Sequence, residues 1–182
     1  NKYLHNFFAE VSEDQESLDS LIYRTKAKSD TLLLVFRESV FMDLPLTEKQ
    51  AIKLATEVLY IEWFSTANDT YEDILNSGNL NLINDYSIKE KISSYYSFLH
   101  EVINVEQYYK DHMNSYIFPL LYEHYDLVHQ KFKNESSYQS LEFNSKFLAV
   151  ISLLQQNVKV YQQAQLRNTQ LKKVLSESLN KH

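Results

Sequence analysis

The six histidines are the first residues to test for chemistry, because imidazole binds metals and transfers protons. Helical di-iron proteins use Glu-x-x-His on two helices together with further glutamates, and this sequence contains no such motif. The nearest pattern is Asp126-Leu127-Val128-His129, whose aspartate and histidine would share one face of a helix. His124 lies five positions before His129, a poor spacing for a shared ligand set. We therefore expect solvated or locally hydrogen-bonded histidines, with no resident metal and no cofactor.

Covalent and phosphate-handling chemistry finds no support either. Gly78 is the only glycine, so a Gly-x-Ser-x-Gly elbow, a glycine-rich phosphate loop and a dinucleotide fingerprint are all excluded. The chain has no cysteine, which excludes disulfides and thiolate catalysis. Glu101 and Glu106 lie five positions apart and form no obvious acid–base pair on a helix. The sequence predicts a protein that is not an enzyme.

Tyrosine is unusually frequent, with 14 residues in the chain. We expect most tyrosine rings, including those of Tyr95, Tyr96 and Tyr109, to pack between helices with their hydroxyl groups reaching water. The alternative is an aromatic groove for a ligand or a partner helix. Glu106 falls in a helical seam where an apolar residue is expected, and Pro119 interrupts the same pattern. A ligand site between helices would therefore be expected near these two residues.

Composition sets the fold class. The chain has 182 residues, one glycine, two prolines and a formal net charge of −6. So few helix breakers predict long helices, and the shortage of turn residues makes β-structure unlikely. Lysine and arginine form no basic stripe, so we expect no nucleic-acid partner. The length is most simply that of a single helical domain, residues 1–182.

Helical periodicity and the positions of the breakers predict an all-α, elongated antiparallel bundle of three to four long helices, with a short helix and a glycine corner near residues 69–86. The seam of the first helix is expected to include Phe8 and Gln15, and that of the third to include Tyr116. The expected long helices run from Lys2 to Phe41, onward from Thr47, from Ile88 to Lys131 with a kink at Pro119, and from Tyr138 to Leu179. The segment Asp43–Leu46 separates the first two.

Charge complementarity predicts how the first and last helices pair. In an antiparallel arrangement, three acidic residues near the start of the chain come close to three basic residues near its end. We expect these pairs to set the register of the two helices, although surface ion pairs contribute only about 0–1 kcal/mol each. The expected partners are Glu10, Glu13 and Glu16 with Lys173, Lys172 and Arg167.

The stretch Thr70–Asp85 carries the densest set of local signals. Thr70 or Asp69 is expected to cap a short helix, and Gly78 is expected to end it in a left-handed conformation. Ser87 is expected to open the next helix, with Glu90 completing a capping box. The apolar residues of this stretch are expected to face inward, Tyr71, Ile74 and Leu75 on the short helix and Leu80, Leu82 and Ile83 as apolar plugs in the loop.

The segment Tyr71–Leu80, the following Leu82-Ile83 and the later Tyr95-Tyr96 pair resemble a family of uncharacterised single-span bacterial envelope proteins, known only as a domain of unknown function. The shared pattern is Tyr-Glu-x-Leu/Ile, then Ser-Gly-Asn-Leu. The resemblance covers about thirty residues and brings no known activity. It implies an N-terminal membrane helix, which this sequence lacks, and a helical domain on the periplasmic side of the inner membrane.

The function expected from these observations is that of a structural or protein-interaction module. It would act through an unknown protein partner or through self-association, tethered by a membrane segment absent from this chain. The alternative is a small-molecule-sensing ectodomain with a ligand site between helices. The candidate partner or ligand surface comprises Tyr71, Gly78, Asn79, Tyr95, Tyr96, Glu106 and Tyr109.

Overall fold

The structure is a computed structural model that describes residues 2–42 and 44–180. It confirms an all-α helical bundle with several long helices. No helix in the described ranges is both long and apolar enough to span a membrane. The helices are α1 (Lys2–Met42), α2 (Glu48–Leu59), α3 (Asp69–Asn76), α4 (Tyr86–His112), α5 (Phe118–His124), α6 (Ser136–Gln139) and α7 (Leu141–Leu179). A 3₁₀ turn (Asn79–Leu82), a π-helical turn (Met113–Ile117) and two short strands, β1 (Tyr125–Asp126) and β2 (Lys131–Phe132), complete the described elements.

Backbone contacts divide the chain into two compact units. Unit 1 comprises Asn1–Tyr23, Trp63–Asn104 and Lys159–His182, and unit 2 comprises Arg24–Glu62 and Val105–Val158. The single domain expected from the sequence stays a prediction, because a division by contacts does not measure folding cooperativity.

Two of the local signals read from the sequence are confirmed. The hydroxyl oxygen of Thr47 accepts a hydrogen bond from the Gln50 amide at 3.3 Å, and the Gln50 side chain accepts one from the Thr47 amide at 2.9 Å, which is the expected capping box. Gly78 has φ 69° and ψ 10°, the left-handed conformation expected after α3. Asp43, in the expected break before α2, lies outside the described residues.

The start of α4 differs from the expectation. The carboxylate of Asp85 accepts hydrogen bonds from the amides of Ser87 at 2.8 Å and Ile88 at 3.3 Å. Asp85 therefore caps the helix, and the prediction that Ser87 does so with Glu90 was wrong. Aspartate is as good a residue as serine at the N-cap position, and its negative charge also complements the helix dipole.

The long third helix expected from Ile88 to Lys131 remains helical only as far as His124, so the prediction was wrong beyond that residue. The backbone widens into the π-helical turn, continues as α5 and ends at His124. The π turn inserts one extra residue, which moves Ile117 into the core and leaves Tyr116 51% exposed. Pro119 follows in the first turn of α5, where a missing amide hydrogen is tolerated.

The segment after α5 forms a small antiparallel ladder, pairing Tyr125 with Phe132 and Asp126 with Lys131. The expectation of little β-structure is confirmed, with this two-residue ladder as the exception among the described residues. Two devices replace the missing turn glycine: Asp126 accepts hydrogen bonds from the amides of Val128 and His129, and Gln130 adopts φ 49°. The rings of Tyr125 and Phe132, 4.9 Å apart, pack the ladder into unit 2.

The last long helix also begins later than expected. Ser140 has an extended backbone, φ −70° and ψ 148°, which separates the single turn α6 from α7. The hydroxyl oxygen of Ser140 then accepts a hydrogen bond from the Phe143 amide at 3.0 Å. The prediction of one helix from Tyr138 was wrong because Ser140 caps a new helix rather than continuing the old one.

Within unit 1, α1 and α7 run antiparallel, as expected, but the predicted charge pairs do not form. Lys172 donates to the Gln15 side chain at 2.8 Å, and the Arg167 guanidinium lies 3.9 Å from the centre of the Phe98 ring. A buried contact joins the helices, since the Asn168 side chain donates to the Val11 carbonyl at 2.9 Å. No ion pair among the described residues joins the predicted partners.

Candidate functional site

The core-facing seam of α1 carries two carboxylates into unit 1. The buried positions that α1 contributes to unit 1 follow the alternating steps of three and four expected of a helix, and they are Leu4, Phe7, Val11, Asp14, Leu18 and Leu21. The sequence placed Val11 and Leu18 in this seam correctly, but it predicted Phe8 and Gln15 at the positions where Phe7 and Asp14 are buried. Asp14 is only 1% exposed, and Glu10 lies one turn before it on the same side.

Three donors hold the Asp14 carboxylate. The hydroxyl groups of Tyr95 and Thr66 each donate to its Oδ2 at 2.7 Å, and the Ala67 amide donates to Oδ1 at 3.0 Å. Burial of an ionised carboxylate is costly unless such bonds replace its hydration. These bonds tie α1 to α4 and to the irregular segment before α3.

Glu10 makes an equivalent pair of contacts one turn away. Its Oε1 accepts a hydrogen bond from the Thr70 amide at 2.8 Å, and its Oε2 accepts one from the Tyr96 hydroxyl at 3.0 Å. A carboxylate from α1 therefore caps the start of α3, where the helix dipole favours negative charge. The prediction that Thr70 or Asp69 caps this helix was wrong, since both lie inside it.

We call this arrangement the carboxylate clasp, and the pKa values of Asp14, Tyr95 and Tyr96 within it are shifted. Burial raises the pKa of Asp14, although the hydrogen bonds from Tyr95, Thr66 and Ala67 oppose that rise. Burial, with the negative charge of Asp14, also raises the pKa of Tyr95 far above its ordinary value. Burial and the charge of Glu10 do the same for Tyr96. Both tyrosines therefore act as neutral donors. The clasp comprises Glu10, Asp14, Thr66, Ala67, Thr70, Tyr95 and Tyr96.

Two of the seven residues singled out from the sequence belong to the clasp, and a third packs against it. Tyr95 and Tyr96 are its hydroxyl donors, and the Tyr71 ring stacks on Tyr96 with centroids 4.3 Å apart and planes 6° apart. Gly78 and Asn79 lie beyond the other end of α3, where the chain turns into the 3₁₀ segment.

Glu106 and Tyr109, the remaining two candidates, belong to unit 2 and take no part in the clasp. Both are buried in α4, so they present no open surface to a partner. Glu10, Asp14 and Thr66 were missed from the sequence. The helical step from Val11 to Leu18 passes through Asp14, and that polar residue at a core position was the available signal.

Unit 1 also exposes large apolar side chains in α3, in the 3₁₀ turn and at the start of α4. Leu75, Leu82 and Tyr86 are 50%, 57% and 79% exposed, so the expectation that Leu75 and Leu82 face inward was wrong. Their neighbours Ile74, Ile83 and Ile88 are buried and anchor the segment instead. Acidic side chains accompany the exposed residues on the same short stretch. We call the set Glu72, Asp73, Leu75, Leu82, Asp85 and Tyr86 the corner surface.

The described residues contain no group of three or more histidine and acidic side chains placed to hold a metal. The Asp126–His129 pair is a hairpin contact, with Oδ2 and Nδ1 2.7 Å apart, rather than the helical pair that the sequence suggested. Hydrogen bonds from His129 lower the pKa of Asp126.

The chain was compared with protein-family models, with curated proteins and with solved structures. None of these comparisons gave a significant match. The resemblance to the single-span envelope family therefore stays a prediction.

Proposed function

We propose that this chain is a protein-interaction module that binds a partner protein through the corner surface. The observation that carries the proposal is the pairing of a clasped backbone with outward-facing apolar side chains. Glu10 and Asp14 fix the start of α3, Ile74 and Ile83 anchor its far side, and Leu75 and Leu82 nevertheless face solvent.

Exposure of these side chains has a free-energy cost that a partner would remove. Full burial of an exposed leucine side chain contributes about 1.5–3 kcal/mol, and the half-exposed Leu75 and Leu82 would each contribute part of that. Single exposed apolar residues are ordinary, but three between residues 75 and 86, on a backbone fixed from behind, favour a binding surface.

The negative charge of the corner surface indicates which class of partner protein would bind there. Glu72, Asp73 and Asp85 are exposed around the apolar residues. They would favour a partner that presents lysine or arginine around an apolar side chain, since complementary charge speeds encounter and disfavours wrong partners. The chain as a whole is acidic, which makes a second copy of the same surface a poor partner.

The proposed setting is the bacterial cell envelope, on the periplasmic side of the inner membrane. Its support is the resemblance of Tyr71–Leu80 and Tyr95-Tyr96 to the envelope family. The test is fractionation of the full-length product followed by protease treatment of intact spheroplasts. Membrane retention with cleavage from outside supports this setting, and a soluble cytoplasmic product contradicts it.

Photo-crosslinking in the native host tests the interaction itself. A photoreactive residue replaces Leu75 in one variant and, as a matched control, Leu141 in another, since Leu141 is 81% exposed and belongs to unit 2. We expect one dominant adduct from position 75 and none of that mass from position 141. Equal labelling at both positions, or no adduct at position 75, would reject the corner surface. An adduct of twice the chain mass would replace the partner with self-association.

The second candidate function is small-molecule sensing, and the observation that favours it is an open groove in unit 2. The groove is not at the place expected from the sequence, because its described lining includes neither Glu106 nor Pro119. Glu106 is instead buried in α4.

A further inference from the structure

Unit 2 contains a groove of about 620 Å³, within the range of about 300–1,000 Å³ typical of small-molecule sites. Three segments build it: α2, the later part of α1, and the hairpin loop between β1 and β2. Its described lining residues are Val35, Thr47, Lys49, Gln50, Ile52, Lys53, Thr56 and Gln130.

One stripe of α2 forms the main wall. Lys49, Ile52, Lys53 and Thr56 follow steps of three and four residues, so they share a helix face. The core face of α2 is separate and is made by the buried Ala51, Leu54, Ala55 and Val58. The residues of α2 that line the groove are therefore not the residues that pack the helix against the core, so core packing does not explain why they are lysine, isoleucine and threonine.

Electrostatics favour an anion in this groove. The described lining contains two lysines and no acidic residue, although the chain carries a formal net charge of −6. Lys53 forms an ion pair with Glu57, with 2.6 Å between the Lys53 Nζ and the Glu57 Oε1. Lys49 makes no ion pair with any residue that the structure describes. The first turn of α2 lies at the same end, where the helix dipole favours negative charge despite the presence of Glu48.

The remainder of the described wall combines the polar side chains of Thr47, Gln50 and Gln130 with apolar groups. Val35 contributes from α1, and Ile52 and the methyl group of Thr56 contribute from α2. Gln130 lines the opposite side and adopts φ 49°, a conformation that a residue with a side chain adopts at a cost of about 1–3 kcal/mol. The hydrogen bonds that Asp126 accepts in the same turn help to hold it there.

We propose that this groove binds a free single-chain carboxylate with an apolar tail, of the medium-chain fatty-acid class. The carboxylate pairs with Lys49 and, in competition with Glu57, with Lys53, while the tail covers Val35 and Ile52. Lys49 forms no ion pair with a described residue, and Lys53 is already paired with Glu57. The two ammonium groups therefore match the single negative charge of a carboxylate better than the double charge of a phosphate monoester. This site lies in unit 2 and does not depend on the proposed interaction function.

Titration of the full chain with sodium decanoate, below its micelle concentration, tests the proposal by calorimetry and by amide chemical shifts. Decanol, which has the tail without the charge, and acetate, which has the charge without the tail, are the ligand controls. We expect decanoate to shift amides of α2 and of residues 127–130, and to bind at least tenfold more tightly than either control.

Two sets of variants complete the test. The double variant Lys49→Gln/Lys53→Gln should weaken decanoate binding at least tenfold, whereas Lys159→Gln, a matched exposed lysine in unit 1, should change it less than twofold. Ile52→Gln should weaken it through loss of tail contacts, and circular dichroism verifies that each variant is folded. Equal binding of decanol and decanoate, or unchanged affinity in the double variant, overturns the proposal. So does the absence of binding.

Discussion

At the residue scale, Asp14 is the side chain on which the arrangement of unit 1 depends most. It is a buried carboxylate held by three donors, and none of those donors is a cation. The Tyr95 hydroxyl is buried and the Thr66 and Ala67 donors are part-buried, so removal of the acceptor takes a bond from three groups that have limited access to water. The clasp is therefore sensitive to the loss of one side chain to a degree that a surface ion pair is not.

Asp14→Ala should lower the free energy of unfolding by ~3 kcal/mol, because the buried Tyr95 hydroxyl and the part-buried Thr66 and Ala67 donors each lose an acceptor. Tyr95→Phe, the matched control, removes a single donor and should cost about 1 kcal/mol. Urea unfolding followed by circular dichroism measures both. A loss for Asp14→Ala no larger than that for Tyr95→Phe would contradict the role of the clasp.

The raised pKa of Asp14 predicts a pH dependence of stability. The folded chain holds the Asp14 proton to a higher pH than the unfolded chain, whose aspartate has the ordinary pKa near 3.8. The unfolded state therefore binds fewer protons in that window, and stability falls as pH rises through it. Urea unfolding of the wild type and of Asp14→Asn across this range isolates the effect. The free energy of unfolding of the wild type should fall relative to that of Asp14→Asn as pH rises from about 4. A difference between the two proteins that stays constant or grows in favour of the wild type contradicts the pKa shift.

Individual core positions were partly predictable from the sequence. Val11 and Leu18 were placed correctly in the seam of α1, because apolar residues follow the helical period. Asp14 was not, because its burial depends on donors from residues 66, 67 and 95, which are distant in sequence. A carboxylate read alone is expected on the surface.

At the element scale, Gly78 ends α3 and directs the chain into the 3₁₀ turn. Its φ of 69° favours glycine, and a Cβ placed there would meet nothing within 4 Å. The cost of a substitution is therefore conformational rather than steric.

Gly78→Ala should destabilise the chain by about 1 kcal/mol, because alanine enters the left-handed region only at that cost. Gly78→Asn should cost less than half as much, since asparagine tolerates this conformation. Thermal unfolding at fixed pH compares the two variants. Equal losses would indicate that contacts of the new side chain, and not its backbone conformation, decide the effect.

Element boundaries were predictable where one short motif decides them. The capping box at Thr47 and the stop at Gly78 are such motifs. The hairpin after α5 was not predictable, because an apolar pattern of helical spacing continues through Leu127, which is exposed. Packing of the Tyr125 and Phe132 rings in unit 2 overrides that local pattern.

At the scale of the whole molecule, composition alone predicted the all-α class, since one glycine and two prolines leave few places to interrupt a helix. The partners of each helix were harder to predict. The charge pairs proposed for α1 and α7 do not form, and the buried Asn168 contact joins the helices instead. A long side chain such as Lys172 can reach a partner in several registers of the two helices, whereas a buried side-chain amide finds its hydrogen-bond partner in only a few.

We propose that the carboxylate clasp presents the corner surface to a partner protein. The most direct measurement is photo-crosslinking from position 75 in the native host, in the wild-type background and in the Asp14→Asn background at equal protein levels. We predict one dominant adduct in the wild type and an adduct reduced at least fivefold when the clasp is weakened, because the start of α3 is then held less firmly. An adduct of equal yield in both backgrounds would contradict the role of the clasp, and the absence of any adduct from position 75 would contradict the corner surface itself.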